Sequence, residues 1–361
     1  MEKKQTILIT GAAGYVGGML VERFARRDDV ERIIGIDKEP MPENFHTEPK
    51  LTYVNLNTAD EWEEQVRAYQ PTIAIHTAWQ IREMYGAQDV EWKWNIVGGD
   101  RVFDFALTEK SVQRLIHFST VASYGAFSSN TIEHRYTEGE PFRKSDYLYA
   151  EEKRIAEEHL KEKYDVHCAT PGVAQKAVAT VRPAAITGPR GRFMRIRFGL
   201  QSALSGQLKD SFVYRVISAM VAFVPVTPAW CRQFIHEDDV VGITERLAFG
   251  PPVGGYEIFN ICPPGPVVRG TDMAKAVGKR QLPVYPWMVR VAFFIFWHLT
   301  RGKIPTGRGA WRSYSYPIAV DGSKVTRMLG YVYRYAGFDA FQYTDGEYES
   351  YVPERLRRHK T

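Results

Sequence analysis

As far as Pro183, short runs of consecutive apolar residues alternate with longer segments whose apolar positions recur every three or four residues. The runs have the length and β-branched content of buried strands, and the spaced segments have the period of helices packed on one face. Thr6–Thr10, Arg32–Asp37, Leu51–Val54, Thr72–Thr77, Arg114–Ser119 and Ala177–Arg182 read as six strands, and Met19–Arg27 as the first crossover helix. Strands that are apolar on both faces and joined through helices imply a doubly wound α/β architecture, a parallel sheet covered on both sides.

Beyond Pro183 the alternation lapses, and Pro and Gly recur at Gly188-Pro189, Pro225, Pro228, Pro251-Pro252 and Pro263-Pro264-Gly265. This texture predicts a smaller, irregular C-terminal α/β domain. Gln233–His236 and Tyr256–Ile261 are strand-like and are candidates to return to the first sheet. The expected division is therefore 1–185 plus roughly 232–262 for the first domain, and 186–231 with 263–361 for the second. Trp287–Leu299 is the most apolar later stretch, but Arg290 interrupts it, and it is shorter than the ~18 to 20 residues that span a bilayer. It reads as a core or pocket helix, with no membrane span expected.

Composition narrows the function classes. The chain is 44% hydrophobic and 25% charged, which excludes a disordered or fibrous chain. Its 47 Lys and Arg are dispersed among 42 Asp and Glu, so no nucleic-acid footprint is expected despite the net charge of +5. Cys168, Cys231 and Cys262 have no metal-ligand spacing and are too few for a disulfide framework, which points to a reducing compartment. The polar start runs straight into Ile7-Leu8-Ile9 without a signal-peptide core, so a cytoplasmic location is expected.

Gly11-Ala12-Ala13-Gly14-Tyr15-Val16-Gly17 sets three glycines at regular spacing between the first strand and its helix. In that place they permit a tight turn, a close approach of backbone N–H groups to a pyrophosphate, and close packing of helix on strand. Asp37 ends the next strand about 20 residues on, where a carboxylate accepts both ribose hydroxyls of NAD and repels a 2′-phosphate. NAD is thus expected over NADP, with Lys38 as the one neighbouring cation. The first domain reads as a Rossmann-type nucleotide-binding domain and the second as its substrate side.

Tyr149 and Lys153 are one helical turn apart and share a helix face. The pair alone means little in a chain with 20 Tyr. Its setting adds weight, because the fifth strand ends some 30 residues earlier in Phe118-Ser119-Thr120-Val121-Ala122-Ser123-Tyr124-Gly125, and ligands sit at the C-terminal ends of strands in such sheets. With Ile75-His76-Thr77-Ala78, Asn95, Arg182-Pro183, Gly188-Pro189, Phe234-Ile235-His236-Glu237-Asp238-Asp239, Asp321-Gly322-Ser323-Lys324 and Leu329-Gly330-Tyr331, these motifs form an ordered set. On it the chain resembles an extended short-chain dehydrogenase/reductase of the NAD-dependent epimerase/dehydratase family.

The resemblance implies a catalytic set of Thr120, Tyr149 and Lys153. Tyr149 would be the general acid/base at a carbinol oxygen, its pKa lowered by Lys153, and Thr120 would hydrogen-bond the same oxygen. NAD would be held by Gly11, Gly14, Tyr15, Val16, Gly17, Asp37, Thr77, Ala78, Asn95, Ser119, Tyr149, Lys153, Arg182 and Pro183. A homodimer paired through a four-helix contact is implied as well. No metal is expected: His236 with its adjacent acids lacks paired His ligands and reads as a structural corner. Ser119, Ser123 and His117 have no placed acid partner for a hydrolase triad.

Three functions compete. For a nucleotide-sugar epimerase or dehydratase, Arg232 matches the position that presents a guanidinium to the substrate pyrophosphate, with Arg308 or Arg312 as a second clamp. Ala185 stands where such enzymes usually carry a substrate-contacting Asn. That departure and the aromatics of 287–297 suit a dehydrogenase of lipophilic alcohols similar to the 3β-hydroxysteroid branch, although aromatics at this spacing also make core or oligomer contacts. The third is an NAD-binding regulatory protein without turnover, against which the intact Thr120, Tyr149 and Lys153 argue.

Overall fold

The structure, a computed structural model, describes residues 4–191, 223–276 and 278–360. Seven strands, Gln5–Thr10 (β1), Val30–Ile36 (β2), Leu51–Val54 (β3), Ile73–His76 (β4), Arg114–Phe118 (β5), Ala177–Pro183 (β6) and Tyr256–Ile261 (β7), form one sheet in the order β3-β2-β1-β4-β5-β6-β7. Every neighbouring pair is parallel. The order reverses between β1 and β4, and the crevice at that switch, beyond the carboxyl ends of the strands, is where this architecture admits ligands.

Alternation along the strands feeds two separate cores. Ile7 and Ile9 of β1 face one layer, with Phe24 of helix Tyr15–Ala25 (α1), Ile116, Phe259 and Val240. Leu8 faces the other, with Ile34, Ala74 and Leu115, against Phe103 of Gly98–Thr108 (α2) and Leu160 of Leu148–Ala169 (α3). A fourth helix, Glu237–Phe249 (α4), closes the first layer through Val240, Ile243 and Leu247.

The strands lie where the pattern puts them, within a residue or two at their ends. The first helix begins at Tyr15, four residues before the apolar periodicity suggests, because the glycine turn leads directly into it. Of the two returning segments, Tyr256–Ile261 joins the sheet beside β6, whereas Phe234–His236 pairs with Ala185–Thr187 in a separate two-stranded ladder. The second-domain span 186–231 is described only at 186–191 and 223–231, so most of that prediction lies outside the described residues.

Helix Pro286–Leu299 (α5) departs from the core or pocket reading. Only Trp297 is buried; Trp287, Phe294 and Leu299 are 64%, 65% and 77% exposed. Apolar periodicity marks a helix, but it does not say whether anything covers the face. No helix among the described residues is long and apolar enough to cross a membrane.

Candidate active site

The turn after β1 is built for a backbone-lined cradle. Gly11 has φ +75°, and a Cβ there would lie 2.6 Å from the Ala78 nitrogen and 2.8 Å from Thr77 Oγ1. A Cβ at Gly17 would be driven into the Gly11 carbonyl oxygen. Any larger residue therefore separates α1 from the two strand ends beneath it. The Thr77 hydroxyl in turn donates to the Thr10 carbonyl at 2.7 Å, which locks the end of β4 to the end of β1.

The first N–H groups of α1 have no partner within the helix, and its first turn carries no acidic residue. The positive end of the helix dipole is thus left to an anion. Asp37, just past β2, accepts from the Ala13 N–H at 3.0 Å and from the Glu39 N–H at 3.0 Å. Burial pushes its carboxyl above the ordinary range, and these two backbone bonds pull it back. The cradle, the helix end and a fixed carboxylate one strand away fit a dinucleotide.

Tyr15 and Val16 open α1 and are partly exposed. The Tyr15 hydroxyl donates to Glu237, whose carboxylate also accepts the Arg190 and Gly191 N–H groups, each at 2.9 Å. Burial lifts Glu237 to about 6. The segment after β6 is thereby fastened over the glycine turn, and Arg190 passes close to Gly18 on its way to Glu22 at 2.7 Å. Neither Arg190 nor Glu237 stands out in the sequence as part of this end of the crevice, since the tie spans 222 residues from Tyr15 to Glu237.

The second half of the site forms where β5 ends. Lys153 is 4% exposed and donates to the Phe118 carbonyl at 2.5 Å, with its ammonium 3.6 Å from the centroid of the Trp79 ring. Burial holds its pKa well below the ordinary lysine value, opposed by Glu157 and Glu152. Tyr149 sits one turn earlier in α3, partly exposed, with its ring 5.8 Å from that of Tyr147. Thr120 is extended, and its hydroxyl accepts from the Ala122 N–H at 3.1 Å, capping the short helix Val121–Tyr124. The Ser119 hydroxyl is buried without a hydrogen-bond partner among the described residues.

Below Lys153, the His76 and His117 rings stack 5.4 Å apart. Burial, with Lys153 adding to it, drives His76 down to about 3 and His117 well below its usual value, so both are neutral. Neither ring nitrogen of His117 has a partner among the described residues, so these residues form no triad with Ser119 or Ser123. The Ser123 hydroxyl is committed to the Ala150 carbonyl at 2.9 Å.

Asn95 lies in a wide turn of helix, Lys93–Val97, and is fully bonded. It donates to Glu152 at 2.6 Å and to the Gln80 carbonyl at 3.0 Å, and accepts from the Gln80 N–H at 2.7 Å. Glu152 and Glu91, 1% and 0% exposed, are both raised to about 7 by burial. A single glance at Tyr149-Ala150-Glu151-Glu152-Lys153 shows the acid beside the lysine, but only the fold reveals that it points inward.

The Arg182 guanidinium is buried and committed within the protein: it pairs with Glu157 and donates to the Tyr124 hydroxyl at 2.7 Å. Pro183 follows at the end of β6. Arg232 is partly exposed, 5.6 Å from the Tyr314 ring centroid, and has no acidic partner among the described residues. Of the two clamp candidates, Arg312 is bound to Asp146 at 2.7 Å and Arg308 is exposed. His236 caps α4, accepting from the Asp238 N–H at 3.1 Å and meeting the Asp345 carbonyl at 2.9 Å, as befits a corner.

Known proteins are similar to this chain in sequence and in fold. The chain is 24% identical over 269 residues to UDP-glucose 4-epimerase of Mycolicibacterium smegmatis, covering 70% of this chain and 76% of that one. It is similar in structure to a mutant UDP-glucuronic acid 4-epimerase from Bacillus cereus in complex with a UDP-sugar and NAD (TM-score 0.67, 16% identity, 96% of this chain and 98% of that one). It is also similar to dTDP-glucose 4,6-dehydratase from Bacillus anthracis in complex with NAD (TM-score 0.66, 14% identity, 96% of each chain). Residues 7–262, nearly all of the sheet and both halves of the crevice, match the NAD-dependent epimerase/dehydratase family, and this chain is accordingly an NAD-dependent enzyme of that family, of the extended short-chain dehydrogenase/reductase type.

Proposed function

We propose that the enzyme oxidises and re-reduces a secondary carbinol carbon of a nucleotide sugar, as an epimerase or dehydratase, with Thr120, Tyr149 and Lys153 as its catalytic residues. The observation that carries the reading is the Lys153 ammonium held on the Phe118 carbonyl, one helical turn from Tyr149 in α3 and two residues before Thr120 at the carboxyl end of β5. NAD, when bound, accepts and returns the hydride. Tyr149 takes the hydroxyl proton as the C–H bond gives up its hydride, leaving a ketone, and returns that proton when hydride is delivered back. Lys153 in its ammonium form, which Glu157 and Glu152 favour against the cost of burial, supplies the positive charge that favours the phenolate. The Thr120 hydroxyl steadies the sugar oxygen as charge builds on it.

The same reading has Gly11, Gly14, Tyr15, Val16 and Gly17 around the pyrophosphate, Asp37 on the ribose, and Thr77, Ala78, Asn95, Ser119 and Pro183 along the cofactor, with Arg182 held on Glu157 and Tyr124. Arg232, partly exposed and free of acidic partners among the described residues, meets the pyrophosphate of the sugar nucleotide. The UDP-sugar epimerases among the similar proteins support this substrate class. Residues 186–231 and 263–361 form the substrate side, and 1–185 with 232–262 the cofactor side. The reading includes a homodimer through the helices of residues 88–108 and 148–169, which expose Trp92, Val97 and Val166. It also includes a reducing cytoplasm, in keeping with the free thiols of Cys168, Cys231 and Cys262.

A second reading, oxidation of a lipophilic alcohol, is favoured by Ala185, an apolar side chain at the start of the short strand Ala185–Thr187. A panel of UDP- and dTDP-sugars and hydroxysteroids, followed by product identity and NADH absorbance, separates the two. Epimerised sugar without net NADH supports the first; NADH accumulating on a sterol alone overturns it. Arg232→Ala weakens only the sugar-nucleotide reaction on the first reading.

A further inference from the structure

The protein-facing side of α5 is anchored by Phe293 on Tyr314, with ring centroids 5.1 Å apart, and by Trp297 on Tyr85 at 5.4 Å. The opposite side is apolar and open. Trp287, Val291, Phe294 and Ile295 follow one another at helical spacing along it, with Met288 and Leu299 flanking, and each is 40% exposed or more. Large apolar side chains exposed together along one helix face, and not singly, mark an interaction site.

Charge identifies the partner. From Met273 to Val320 the sequence contains eight Lys and Arg and no Asp or Glu, in a chain that has 42 acids elsewhere. Arg280, Arg290, Arg301 and Lys303 are exposed and have no ion pair among the described residues. A second copy seated on this face about a two-fold axis would set these cations against their own images, with no acid in 273–320 to neutralise them. An anionic bilayer surface meets both demands, taking the aromatic and aliphatic side chains at the acyl boundary and the cations at its headgroups. At 14 residues α5 is about 21 Å long, too short to span the hydrocarbon and suited to lie along it.

We propose that α5 is an interfacial docking helix through which the enzyme binds anionic phospholipid membranes. One loop after β4 carries both Trp79 onto Lys153 and Tyr85 onto the anchored side of α5, and so links the helix to the candidate site.

Flotation of the full chain with vesicles of phosphatidylcholine and phosphatidylglycerol, mixed roughly seven to three, tests this. The expected result is binding that falls at least about tenfold on pure phosphatidylcholine or in high salt. Phe294→Glu is expected to abolish flotation while NAD binding, which reports the fold, stays unchanged; Arg290→Glu with Lys303→Glu is expected to weaken it. Failure of the unaltered chain to float with either vesicle overturns the proposal, as does a Phe294→Glu variant that floats equally well. An oligomer in lipid-free solution that Phe294→Glu dissolves, with no vesicle binding, also overturns it and assigns the face to a second copy.

Discussion

Asn95 donates a 2.6 Å hydrogen bond to Glu152, the residue immediately before Lys153, and so ties the helical turn after β4 to the helix that carries the proposed catalytic pair. The other oxygen of Glu152 is buried without a hydrogen-bond partner among the described residues, as is one oxygen of Glu91. Burial lifts both carboxyls to about 7, opposed in Glu152 by the Asn95 bond and the Lys153 charge, and reinforced by Glu83. The folded state therefore holds these protons more tightly than the unfolded chain, whose glutamates titrate near 4.5.

The sign of the pH dependence follows. A carboxyl raised in the folded state contributes stability that is complete below its unfolded value and is lost as pH rises through about 7. Glu152→Gln keeps an acceptor for Asn95 and removes the titration. The variant is expected to gain on the unaltered protein between pH 5 and pH 8 by up to about 3 kcal/mol. Urea unfolding at the two pH values measures this, and an unchanged difference would remove Glu152 from the buried acidic group.

Tyr149→Phe removes the proposed proton carrier without altering the packing of α3. Turnover is expected to fall by at least about a hundredfold, while NAD affinity, read by calorimetry, changes little. Ordinary turnover in this variant would take Tyr149 out of the mechanism.

Asp37→Ala leaves the Ala13 and Glu39 N–H groups without their side-chain acceptor and removes the charge that repels a 2′-phosphate. The ratio of NAD to NADP affinity is expected to drop by about tenfold or more, roughly 1.4 kcal/mol. Tighter binding of NADP by the unaltered enzyme contradicts the role given to Asp37.

Glu157→Ala strips the partner from Arg182, which is 4% exposed. A buried guanidinium left unpaired is expected to cost about 3–5 kcal/mol. Thermal or urea unfolding checks the size of the loss; a change below about 1 kcal/mol would mean that Tyr124 and solvent satisfy Arg182.

Gly17→Ala forces a methyl into the Gly11 carbonyl oxygen, so the glycine turn must open. NAD binding is expected to be lost, with destabilisation of about 1–3 kcal/mol. Retention of normal affinity would show that the cradle yields more readily than its geometry indicates.

Local features were legible in the chain because their causes lie within a few residues. Runs of apolar residues gave the six strands, three glycines gave the turn, and a four-residue interval put Tyr149 and Lys153 on one face. Tertiary packing decided the rest. It took Lys153 to the Phe118 carbonyl 35 residues away, Asn95 to Glu152 and Tyr15 to Glu237. It also turned Arg182 inward, gave Phe234–His236 a partner outside the main sheet, and left the apolar face of α5 uncovered. Hydrogen bonding and side-chain periodicity act along the chain, so sequence fixes which face of an element is apolar. What lies against that face, and which buried charge finds a partner, depends on distant segments converging in three dimensions.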